Sequence, residues 1–84
     1  MLHQFTYTIQ DENGLHARPA GLLVRKAQNY PDEITLILGE KRANLKKLLA
    51  VMGLGVRRGD TVTVTVDGSK DTADALESFF KENL

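Results

Sequence analysis

The chain has 84 residues, with 11 Lys+Arg against 11 Asp+Glu, two histidines and no cysteine, so its formal charge is zero. That length is one domain, 1–84, with a core of limited depth, which disfavours an enzyme that buries its substrate in a deep cleft. Without cysteine there is no disulfide framework or thiolate zinc site, His3 and His16 are too few for a histidine metal centre, and no cofactor is expected.

The chain opens M-L-H-Q-F-T-Y-T-I, with no basic segment leading into an apolar run. No stretch approaches the roughly 20 apolar residues of a membrane span, so a cytoplasmic protein that does not insert into membranes is expected. In this segment Phe5, Tyr7 and Ile9 alternate with Gln4, Thr6 and Thr8, the period of a half-buried strand. A helix follows: Ala20, Leu23, Val24 and Ala27 fall at i, i+3, i+4 and i+7, Arg25, Lys26, Gln28 and Asn29 face away, and Pro19 suits the first turn. After Pro31, Ile34, Leu36 and Leu38 restore period two, and a short strand near Glu40 to Ala43 follows a turn at Gly39. A short helix around Lys47 to Met52 is stopped by Gly53 and Gly55.

The clearest strand is Thr61 to Val66, three threonines alternating with three valines, as in an antiparallel sheet with one wet face. Ser69 caps a last helix with Asp71 in its first turn and Ala73, Leu76, Phe79 and Phe80 inside. The predicted order is βαββαβα. This is an α+β, open-faced β-sandwich in which three helices cover one face of a four-stranded antiparallel sheet. The wet face is rich in threonine and not in stacking aromatics. With zero net charge this argues against a nucleic-acid binder, and Arg25-Lys26, Lys41-Arg42, Lys46-Lys47 and Arg57-Arg58 read as solvated pairs.

The chemistry concentrates in Asn13-Gly14-Leu15-His16-Ala17-Arg18-Pro19-Ala20, a strand-to-helix junction. His16 lies where the unpaired N–H groups of Ala17 and Arg18 and the positive end of a helix converge, a place that suits phosphate. A neutral imidazole is a nucleophile near neutral pH, and its ring nitrogen can take a phosphoryl group without an Asp partner. Arg18 can neutralise the oxygens of a group in transfer. A lone loop histidine is most often just solvent-exposed. The coincidence of histidine, arginine, proline and glycine at a helix start favours chemistry, whereas His3, with no such neighbours, reads as structural or exposed.

Gly14-Leu15-His16-Ala17-Arg18-Pro19-Ala20 with its Leu-Leu-Val helix resembles HPr, the histidine-containing phosphocarrier family of the bacterial phosphoenolpyruvate-dependent sugar phosphotransferase system. Asn44-Leu45-Lys46-Lys47-Leu48-Leu49-Ala50-Val51-Met52-Gly53-Leu54-Gly55 is similar to the family's second helix and the turn after it, and the Gly59-Asp60 turn, Val/Thr strand and last helix fall in register. The resemblance implies a stoichiometric carrier, not a turnover enzyme. His16 would accept a phosphoryl group on Nδ1 from phospho-enzyme I and pass it to a IIA component, with Arg18 assisting. It also implies docking through Leu15, Ala17, Gly21, Leu48, Leu49 and Met52, though Leu48, Leu49 and Met52 read equally well as core. A monomer is expected. Where regulated members carry a phosphorylatable serine this chain has Lys47, which cannot take that modification. The alternative function is a regulatory module that acts on a kinase or transcription factor.

Overall fold

The computed structural model describes residues 1–84. Its elements are β1 (Leu2–Thr8), α1 (Ala17–Gln28), β2 (Glu33–Leu38), β3 (Lys41–Asn44), α2 (Leu48–Gly53), β4 (Thr61–Asp67) and α3 (Lys70–Asn83), the predicted order. The four strands form one antiparallel sheet in the order β1-β4-β2-β3, so the Thr/Val strand β4 is inserted between the strand that opens the chain and β2.

Alternation on the strands determines which face is covered. Val62, Val64 and Val66 of β4 and Ile34 and Leu36 of β2 are buried, while Thr61 is exposed and Thr63 and Thr65 remain half-exposed on the opposite face. There Thr8 and Thr61 share a hydroxyl–hydroxyl hydrogen bond of 2.8 Å across the strands. Against the valines α1 presents Ala20, Leu23, Val24 and Ala27, and α3 presents Ala73, Leu76 and Phe80. Phe80 is fully buried, with its ring edge-on to Phe5 and Tyr7 at centroid separations of 5.5 and 5.7 Å. Such edge-to-face pairs add roughly 0.5–1.5 kcal/mol each beyond the area they bury.

The β2–β3 hairpin turns through Gly39-Glu40, with Gly39 at φ +60°, the sign a tight hairpin turn demands at its first central position. The predicted strand near Glu40 to Ala43 therefore begins one residue later and extends to Asn44, because Glu40 is spent in the turn. α1 begins at Ala17, which places Pro19 in its first turn, where its missing N–H leaves no bond unmade. No helix is long and apolar enough to cross a membrane.

Candidate functional site

His16 is the N-cap residue of α1, with extended backbone (φ −88°, ψ −178°), and its carbonyl accepts the first helical bond from the Ala20 N–H at 2.9 Å. Its imidazole does not cap the helix. The N–H groups of Ala17 and Arg18, the first two of α1, have no carbonyl within the helix to reach, and both residues are exposed. In contrast, α3 is capped by Ser69, whose hydroxyl accepts from the Asp71 N–H at 3.0 Å.

The loop that carries His16 to this position is pinned on both sides. The Leu15 N–H donates to the Val56 carbonyl at 3.1 Å, and the Gly14 N–H to the Asp11 carbonyl at 2.9 Å. Gly14 is left-handed (φ +68°), and a Cβ there would lie 2.6 Å from the Val56 oxygen and 2.8 Å from the Arg57 Cα. Only glycine allows the two loops to approach this closely. From the other side, the Gln10 and Asp11 N–H groups donate to the Leu84 carbonyl at 2.6 and 2.8 Å, which ties the end of the chain beneath the histidine.

His16 opens into a shallow hollow with Asp11, Arg18, Pro19, Leu22 and Asn83. Its side chain is 41% exposed, and Asp11 Oδ1 stands 3.8 Å from its Nε2. Sequence reasoning dispensed with an acidic partner for this histidine, and the fold supplies one five residues upstream. The Asp-Glu-Asn-Gly turn was the available signal. Next to this hollow a groove between α1 and α2 is lined by Arg18, Gly21, Leu22, Arg25, Gln28 and Leu48. Leu22 is 49% exposed and was missed, although Arg18, Leu22 and Arg25 stand at i, i+4 and i+7, a stripe legible in the sequence.

Among the expected docking residues, Leu15 is corrected. It is 6% exposed and belongs to the hydrophobic core, on a segment that its N–H bond to the Val56 carbonyl holds against the neighbouring loop. Ala17 is exposed and Gly21 half-buried, with nothing within 4 Å of the place a Cβ would occupy. Leu48, Leu49 and Met52 are 38, 85 and 39% exposed, and Val51 is the residue through which α2 enters the core. Leu48, Leu49 and Met52 are therefore surface and not core. Lys47 is exposed at the N-cap of α2, and His3 is half-buried on β1 opposite Val66, away from the site.

The family described as the "PTS HPr component phosphorylation site" matches residues 3–82. The fold is similar to that of the phosphocarrier protein HPr from Bacillus anthracis, with 30% identity, a TM-score of 0.87, and 94% of this chain and 96% of that one covered. A histidine-containing phosphocarrier protein of Mycoplasma is 36% identical over 95% of this chain and 89% of its own, with a TM-score of 0.82. Crh, the Bacillus subtilis catabolite-repression protein solved as a dimer with a swapped domain, is 28% identical, with a TM-score of 0.75 and coverage of 93% and 92%. A histidine at an uncapped helix start beside an arginine, on this sheet order and with a family match across nearly the whole length, identifies the chain as a member of the HPr family of phosphocarriers of the phosphotransferase system.

Proposed function

We propose that His16 accepts a phosphoryl group from phospho-enzyme I and donates it to IIA components of sugar permeases, with the chain acting in the cytoplasm as a relay and not as a turnover enzyme. The observation that carries this reading is the placement of a half-exposed imidazole at the start of α1 beside two free N–H groups and Arg18. An incoming phosphoryl group meets donors on three sides, namely the Ala17 and Arg18 N–H groups and the Arg18 guanidinium, which neutralise its oxygens as the nitrogen attacks. Leu22 and Leu48 line a groove with Arg18 and Arg25, and Leu49 and Met52 are exposed on the same short helix as Leu48, apolar groups suited to docking both partners in turn. A monomer suffices, since every residue of the site comes from one chain. Lys47 leaves α2 without the serine through which regulated members are modified, so this carrier works without that switch.

The similarity to Crh supports a second reading, in which the same surface regulates a kinase or transcription factor. Mass spectrometry separates the two. After incubation with enzyme I and phosphoenolpyruvate, the wild-type chain gains one acid-labile phosphoryl group and a His16→Ala variant gains none. An unmodified wild-type chain refutes the carrier.

A further inference from the structure

The imidazole of His16 has two nitrogens, and only one can be the nucleophile at a time. The one that attacks must hold a free electron pair while the other holds the ring proton. Nε2 faces Asp11 Oδ1 at 3.8 Å. That carboxylate is not a loose surface group. Its side chain is 27% exposed, Oδ1 accepts the Asn13 N–H at 2.9 Å, and the Asp11 backbone N–H is held by the Leu84 carbonyl at 2.8 Å. An acid so constrained keeps its charge on one side of the ring at little entropic cost.

We infer that Asp11 is a positioning residue of the relay: it holds the proton of His16 on Nε2 and so presents the Nδ1 electron pair to the phosphoryl donor. This rests on the carrier reading. In the forward step the Nδ1 pair forms the new N–P bond while the N–P bond of the donor's phosphohistidine breaks and its electrons return to the donor nitrogen. No proton leaves His16. The Nε2 proton stays on the ring, which becomes a cationic phosphoimidazolium, and Asp11 draws to within the roughly 2.7–3.2 Å of a charge-assisted hydrogen bond. Onward transfer to the acceptor reverses these changes. The only other charged group lining the hollow, Arg18, acts on the phosphoryl oxygens and opposes the ring's positive charge, so the carboxylate also offsets that repulsion.

The test is a nitrogen NMR measurement of the His16 tautomer ratio in the wild-type chain and in Asp11→Asn and Asp11→Ala, alongside the rate of phosphoryl transfer. Asp11→Asn keeps an oxygen for the Asn13 N–H and so preserves the turn while it removes the charge. Loss of the carboxylate beside Nε2 reduces the share of the Nε2–H form of the neutral ring. The rate of phosphoryl transfer at neutral pH falls with it. A His16 tautomer ratio and transfer rate unchanged in both folded variants, with normal phosphorylation of the wild type, overturns the role of Asp11 alone. A wild-type chain that takes no phosphate overturns the carrier reading together with it.

Discussion

In the proposed relay Arg18 and His16 divide the work at the scale of single residues. As the proposed nucleophile the imidazole needs exposure on one edge, which 41% accessibility provides. The guanidinium, exposed and free of ion pairs with any acidic side chain, is available for a phosphoryl oxygen. A hydrogen bond to a charged group contributes about 1.5–3 kcal/mol, so Arg18→Ala slows transfer roughly 10- to 150-fold. Because Arg18 packs into no core, unfolding by urea stays within about 0.5 kcal/mol of wild type, and a rate loss that merely tracked unfolding would contradict the assignment. The sequence picks out both residues in the Gly-Leu-His-Ala-Arg-Pro-Ala run, and the structure sets them at the start of α1. Leu15 was misjudged because nearness to a functional residue in sequence says nothing about which way a side chain points.

Helix termini set the next level of organisation. α1 leaves its first N–H groups open at the site, whereas α3 is closed twice, by Ser69 and by Asp32, whose Oδ2 accepts the Ser69 N–H at 2.7 Å. That bond holds the Asp32 carboxyl below its ordinary value of 3.8 against partial desolvation, with the Thr72 hydroxyl and the charge of Lys46 adding to the effect. A carboxyl lowered on folding stabilises the fold fully above its unfolded value, and this contribution is lost as pH falls through the lower folded value. Asp32 therefore adds stability that is intact at neutral pH and disappears only below about pH 4. An Asp32→Asn variant is less stable than wild type at pH 7, and the difference shrinks as acid unfolding is followed downward. A stability gap that is constant across this range would show that the carboxylate charge is not what ties the segment before β2 to the start of α3. Asp32 was invisible in the sequence, since its partner lies 37 residues away.

Across the whole molecule, one close approach couples the site to the rest of the chain. Gly14 meets the backbone of Val56 and Arg57 on the segment leading to β4, one of the two inner strands of the sheet. Gly14→Ala forces a Cβ into that contact from a left-handed backbone, which costs more than about 1 kcal/mol. The Leu15–Val56 bond then opens, so both the urea midpoint and the phosphoryl-transfer rate fall. If only stability changed, the contact would hold the fold together without aiming His16.

The sequence by itself determined the elements, their order and the division of the sheet into a valine face and a threonine face, because period two and period 3.6 are local properties of the chain. It also singled out His16 and Arg18, two residues apart at one helix start, as the candidate site. Only the tertiary structure decided that β4 lies between β1 and β2, that Leu15 points inward, that Leu22 and Leu48 line one groove, and that Asp11 faces the histidine. Each of these depends on segments brought together by burial or by a turn, and a pattern of residues along one dimension does not encode the direction in which a loop returns.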